Sequence, residues 1–517
     1  MSTLEWWETA IIYQIYPRSF NDSNDDGIGD LNGIIERLDY IAGLGIDAIW
    51  ISPFFTSPQK DFGYDVAEYC NVNPEYGTLS DFDRLLELAH EKGLKVMIDI
   101  VPAHCSDQHL WFQESRASRD NDKADWFHWV DPLADGSAPT NWLSFFGGRA
   151  WTWEPRRQQY YLHNFLPSQP NLNHANPKVR EAMMDVAKFW LERGVDGFRL
   201  DAVHTVNADH PPFQNNPADP DFVLGPLPQD QQPFFRQLHD AAQLNQPAIQ
   251  TLVRQFRALA DQYDPPRFLM GEVDGDGENA IEVSKTFTQE GHFHATYNFD
   301  LLEWDGLSVS EMKAAISKAV GAFNESGRLS FSFSNHDVPR VATRQLAKLG
   351  LDETKSRKMQ LLLLKLEASL IGSTCMYQGE ELALTDVQDI PLADMQDPWG
   401  VEFAPAFLGR DTCRTPMVWR KADPNGGFSN ANKTWLPVSE AHLDHAGLDA
   451  AEDKTSLYHQ LKQFLTWRKA QDAFMTSNQM SDISGGENEI VFDRISQTQV
   501  LRCHFDFVTL TAQFEEV

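Results

Sequence analysis

The chain is 517 residues long and 42% hydrophobic, enough for one large domain with smaller additions. Lys and Arg number 43 against 75 Asp and Glu, a net charge of −32 that repels phosphate backbones and excludes a nucleic-acid partner. Five scattered cysteines with no C-x-x-C pair exclude a disulfide framework and a cysteine zinc site.

The first residues, MSTLEWWETAIIYQIYP, place an acid before a short apolar run and carry no basic region, so they are not read as a signal peptide. No stretch reaches the length of a membrane span, and 361–373, interrupted by Lys365 and Glu367, reads as a buried helix. The expectation is a cytoplasmic protein without a membrane partner, present as a monomer or homodimer.

A first strand at 11–16 leads to the loop NDSNDDGIGD at 21–30. Asp22, Asn24 and Asp26 alternate, Gly27 follows, and the Ile28 carbonyl and Asp30 complete a spacing that matches half of an EF-hand loop without its bidentate Glu. Two readings stand at this point: a Ca²⁺ or Mg²⁺ site, or an Asx-rich turn with solvated charges.

Further strands are predicted at 46–52, 95–101, 195–200, 267–272, 294–299, 329–334 and 371–377. Helical patterns lie between most of them, for example 81–91 and 178–193. Eight alternating units predict the α/β class and a closed (β/α)8 TIM barrel, formed by 1–104 and 175–474. Residues 105–174, rich in Trp, Asp, Asn and Pro, form an inserted small domain after strand three. Residues 205–234 read as a long loop over the same rim, and 475–517 as a C-terminal β domain.

Barrel active sites sit at the C-terminal strand ends. Those ends carry Asp99 and His104, then Arg199 and Asp201, then Glu272, then Asn335, His336 and Asp337. Any one of these is an ordinary capping or salt-bridged group; together they mark one mouth.

At these residues the sequence resembles the α-amylase superfamily, glycoside hydrolase family 13, and within it the α-glucosidase and oligo-1,6-glucosidase group. The resemblance rests on DIVPAH (99–104), GFRLDAV (197–203), GEVDG (271–275) and FSNHD (333–337). GIDAIWISP (45–53), QPNLN (169–173), RTPMVW (414–419) and the N-terminal WWETAIIYQIYPRSF add to it. It implies Asp201 as nucleophile, Glu272 as general acid/base and Asp337 as transition-state stabiliser. It implies that Arg199 orients Asp201, and that His104 and His336 bind hydroxyls of the glucose in subsite −1. Asp61 would hold the far edge of that sugar, Tyr64 would stack on its ring, and Arg414 would close the pocket. Phe146 and Phe165 would be apolar walls, or ordinary core.

Ala202 borders subsite +1 in the resembling family, where valine goes with α-1,6 and threonine or alanine with α-1,4 links. The 21–30 loop matches a structural divalent-ion site of this branch, with Asp22, Asn24, Asp26, Ile28 and Asp30 as ligands. A second calcium near the inserted domain is not expected, because Ala103 and Asn171 stand where its ligands would be. His204-Thr205 replaces the Lys-His pair common in endo-acting amylases.

The expected activity is a retaining, exo-acting α-glucosidase on short α-glucosides, with α-1,4 preference and some glucosyl transfer, and no organic cofactor. The alternatives are an oligo-1,6-glucosidase, or a glucosyltransferase-isomerase of sucrose or maltose. A non-enzymatic relative attached to a transporter fits poorly, since all three acids are kept. One carboxyl must be charged and the other protonated. Arg199 is expected to keep Asp201 ionised, leaving the proton to Glu272 among neighbouring acids.

Overall fold

A computed structural model describes residues 4–206, 213–217, 243–274, 280–302, 308–324, 326–405 and 407–517. Eight parallel strands close into a barrel: β1 (Ile11–Ile15), β2 (Ala48–Ile51), β3 (Lys95–Ile100), β4 (Gly197–Leu200), β5 (Phe268–Gly271), β6 (Ala295–Tyr297), β7 (Leu329–Phe331) and β8 (Ser373–Tyr377). Each lies within one of the eight predicted segments. Closure comes from β1, which pairs with β2 on one side (Ile12 with Ala48) and β8 on the other (Ile11 with Thr374). β1, β2, β4, β5 and β8 are buried at every position, as strands covered on both faces must be.

The helices between strands start and stop on legible signals. α1 (Leu79–Glu91) begins with a Thr78–Asp81 capping box and turns Phe82, Leu85, Leu86 and Ala89 inward. α2 (Pro177–Arg193) has Asn176 as N-cap, Pro177 at its first position, and Gly194 at φ 105° as a left-handed stop. α3 (Glu353–Glu367) ends six residues before β8, so the apolar run at 361–373 is partly helix and partly turn.

Within 105–174, Trp129–Val130, Gln159–Leu162 and Trp151–Glu154 form a small antiparallel sheet. Backbone bonds tie this segment to the barrel rim, among them a bridge between His104 and Asn171. At the C-terminus, Gln479–Met480, Glu489–Ile495, Val500–Asp506 and Thr511–Glu516 form a four-stranded antiparallel sheet. Its inward residues Ile490, Phe492, Leu501, Cys503 and Phe505 share one apolar cluster with Ile316, Leu363 and Leu366. Of the stretch 205–234, only 205–206 and 213–217 lie among the described residues.

Candidate active site

Strand alternation aims Arg199 and Asp201, two residues apart, into the same space. Arg199 is 1% exposed and lies 5.1 Å from the Trp50 ring centre. Its Nη1 donates to Asp99 Oδ1 at 2.8 Å and to Asp201 Oδ1 at 2.7 Å, and its Nη2 stands 2.6 Å from Glu272 Oε1. Trp50 Nε1 donates to the second Asp99 oxygen at 2.9 Å. The Asp201 and Glu272 N–H groups continue the sheet ladder to Ile100 O and Leu200 O, each at 2.9 Å, which fixes both just past their strand ends.

Three carboxylates around one guanidinium do not all ionise at ordinary cost. Burial pushes Asp201 well above the usual carboxylate range; Arg199 pulls it back, while Glu272 and Asp99 push with burial. Burial likewise pushes Asp99 up to about 6 against the pull of Arg199. Asp99 and Asp201 therefore take up a proton more readily than isolated carboxylates do, and that proton belongs to the pair rather than to one member. This differs from the expectation that Arg199 holds Asp201 ionised: its pull does not outweigh burial and the neighbouring acids.

Glu272 has a second anchor. Its Oε2 accepts the Ala202 N–H at 2.6 Å, and Ala202 aims that N–H from a left-handed backbone at φ 39°, ψ 39°. Ala202 is buried, with the Val203–Thr205 turn directly behind it.

Asp337 closes the opposite wall. Its Oδ1 accepts from Arg414 Nη2 at 2.8 Å and Arg410 Nη1 at 3.1 Å. Burial alone would raise this acid, but His336, Arg414, Arg410 and Arg199 hold it well below the usual range. Burial also keeps His336 neutral, so the arginines carry the charge that does this. Gln14 Nε2 donates to His336 Nδ1 at 2.7 Å, which leaves the ring proton on Nε2, 2.5 Å from Tyr64 Oη and 3.2 Å from Asp337 Oδ2. The Tyr64 ring stacks on His336 at 5.4 Å between centres.

Asp61, beyond Asp337, accepts from Arg410 Nη2 at 2.8 Å and from Gln169 Nε2 at 2.9 Å. Gln169 is also 3.2 Å from His104 Nε2, and that nitrogen bonds the Tyr64 carbonyl at 3.1 Å. Burial pushes His104 down to about 4, so it is neutral, and its buried Nδ1 has no protein partner among the described residues. Phe165 packs against His104 at 5.1 Å and against Phe146 at 5.6 Å, while Arg410 sits 4.9 Å over the Phe146 ring.

The sequence reading missed Arg410 and Asp397. GRDTCR carried a signal for the first: the short turn Asp411–Cys413 sets Arg410 and Arg414 one turn apart, both reaching Asp337. Asp397 precedes Pro398, which opens a short helix, so it reads as an ordinary N-cap. Its side chain makes no cap bond; it goes instead to Arg410, through N at 2.7 Å, Nε at 3.1 Å and Nη2 at 2.7 Å.

The acidic loop lies apart from this site. Asp22 Oδ1 accepts from the Asn24 and Asp25 N–H groups, Asn24 Oδ1 from Asp26, and Asp26 Oδ1 from Ile28. The other Asp22 oxygen accepts from Gly27 N and Ser429 Oγ. This is a ladder of Asx turns. The Asp30 oxygens accept from Ser23 and from Gly33 N, capping the next helix. Among the described residues no three His, Cys, Asp or Glu side chains are arranged to hold a metal ion.

The α-amylase catalytic-domain family profile matches residues 14–477. A Rhizobium meliloti (strain 1021) protein named probable α-glucosidase is 46% identical over 502 residues, covering 97% of this chain and 87% of that protein. An oligo-1,6-glucosidase of Heyndrickxia coagulans is 33% identical, covering 91% and 86%. The crystal structure of an α-glucosyl transfer enzyme, XgtA, superposes with a TM-score of 0.90 at 43% identity, covering 98% of this chain and 92% of that one.

Proposed function

Since this chain belongs to the α-amylase family of glycoside hydrolases and is an α-glucosidase-type enzyme acting on an oligosaccharide, we propose that it is a retaining, exo-acting α-glucosidase preferring short α-1,4-linked glucosides. The observation that carries the exo reading is the ionic wall Asp337–Arg410–Asp61 across one end of the pocket, with Arg414 behind it. A wall there leaves room for one terminal glucose.

In this reading Asp201 is the nucleophile, Glu272 the acid/base and Asp337 the stabiliser. An Asp201 oxygen attacks the anomeric carbon as its bond to the leaving oxygen breaks, and Glu272 gives that oxygen its proton. Glu272, now a carboxylate, takes a proton from the incoming acceptor, whose oxygen displaces Asp201 and restores the α configuration. The cycle needs a single proton, which in this reading Glu272 gives to the leaving oxygen and recovers from the acceptor. Asp337, kept ionised by two arginines, grips sugar hydroxyls as the ring flattens, which is binding selective for the transition state. His104 and His336 bind hydroxyls of the same glucose, and Phe146 and Phe165 line it.

Water as acceptor gives hydrolysis and a sugar gives transfer; the similarity to a glucosyl transfer enzyme favours a measurable share of the second. NMR of the first product from maltose should show α-glucose, with transfer products growing at high sugar concentration. β-Glucose as the first product would overturn the mechanism. A cytoplasmic setting is part of the reading, supported by five unpaired cysteines. A Ca²⁺ or Mg²⁺ ion on Asp22, Asn24, Asp26, the Ile28 carbonyl and Asp30 is proposed as structural only.

A further inference from the structure

Arg410 is the hinge of the pocket's far wall, for its guanidinium spans Asp61, Asp337 and Asp397. Asp61 and Asp337 face the sugar pocket. Asp397 does not: it is 0% exposed and holds Arg410 from behind through three bonds, having given up the cap bond its position offers. Burial would raise Asp397, but the Arg410 and Arg414 guanidiniums and the Arg410 N–H hold it below the usual carboxylate range, as expected of a permanent anion in an ion triad.

A cleft of about 540 Å³, within the range of small-ligand sites, is lined by residues that flank this wall in the chain. Its lining includes Lys60 and Phe62, the neighbours of Asp61, and Gln396 and Pro398, the neighbours of Asp397. Two of the three carboxylates that grip Arg410, Asp61 and Asp397, are thus each flanked in the chain on both sides by residues of the cleft. The cleft has the chemistry of a neutral polyol site. Lys60 and Asp107 form an opposed pair at 3.5 Å, so the lining adds no net charge; the Gln396 amide and Ser168 hydroxyl can exchange hydrogen bonds with hydroxyls, and Phe62 and Pro398 offer apolar faces.

We infer that Asp397 is a specificity-determining positioning residue: it locks Arg410 as a partition between the pocket for the terminal glucose and a rear cleft able to receive the next glucose unit. This rests on the exo-glucosidase reading and goes beyond it. The partition, rather than the shape of the pocket floor, limits release to one glucose at a time.

The test is Asp397→Asn, which keeps the size but removes the charge and one of the two acceptor oxygens that hold Arg410. Products from maltotetraose are followed at early times by chromatography. The wild type should release glucose and maltotriose only. The variant should add maltose, from chains entering one unit deeper, and should raise KM for nitrophenyl α-glucoside ~10-fold with kcat changed less than ~3-fold. Asp397→Glu should restore glucose-only release, and Gln396→Trp, filling the exposed mouth of the cleft, should abolish maltose release in the Asp397→Asn background. Glucose-only release with unchanged KM, or loss of kcat at constant KM, overturns the inference. If Asp397→Asn fails to fold, Arg410→Lys must add maltose release; its absence overturns the inference. A wild type that does not release glucose from maltotetraose would instead refute the function proposed above.

Discussion

Asp201 shares one guanidinium with two other acids, and the proposed chemistry depends on its carboxylate attacking carbon. Asp201→Asn should therefore lower kcat by ~10⁴ or more, near 5 kcal/mol of barrier, with the fold intact because the Asp201 N–H, not its side chain, carries the sheet bond. A single-turnover measurement showing under ~10-fold loss would remove Asp201 from the nucleophile role. Ala202 makes a finer point. A methyl at the pocket rim leaves room for a glucose presented through O4, whereas isopropyl crowds it, and such contacts discriminate by only ~1–3 kcal/mol. The left-handed backbone at φ 39° adds a second cost, since β-branched residues are strained there. Ala202→Val should lower kcat/KM for maltose more than for isomaltose, and should lower the melting temperature as well. An unchanged ratio, or a wild type that favours isomaltose, would deny Ala202 its role.

Two elements carry predictions of their own. Four of the five buried imidazoles of the segment 104–174, His104, His109, His163 and His174, are each pushed down to about 4 by burial. A folded pKa below the unfolded 6.5 means the unfolded segment binds more protons as pH falls. Their stabilisation is complete above about pH 6.5 and drains away as pH drops through about 4. Hydrogen exchange, corrected for intrinsic rates, should show the strands Trp151–Glu154 and Gln159–Leu162 losing protection between pH 7 and 5 ahead of β1 and β3. Equal loss in barrel and insertion would count against it. The second element is the 21–30 loop. Its Asx ladder closes without help, so removing a divalent ion by chelation should cost melting temperature while leaving kcat at low temperature nearly unchanged. A folded, metal-free enzyme with no turnover would contradict a structural role.

For the molecule as a whole, a net charge of −32 is a standing self-repulsion. Salt shortens its reach to ~10 Å at 0.1 M and ~3 Å at 1 M, so the melting temperature should rise between 0.02 and ~0.5 M NaCl. A flat or falling curve would show that local pairs, not the summed field, govern stability. The eight strands and their order were legible in the sequence, because a doubly covered parallel strand must be a short apolar run and a crossover helix must carry its own caps. The strand-end acids were legible for the same reason: barrel topology sends every C-terminal end to one mouth. What only the tertiary structure decided is who pairs with whom there. Arg199 serving Asp99, Asp201 and Glu272 together, and Asp397 leaving its helix cap for Arg410, join residues far apart in the chain. Local pattern reports burial and turn chemistry; it carries no information on which of several acids a buried guanidinium will meet, since that is set by the packing of loops from different strands at one rim.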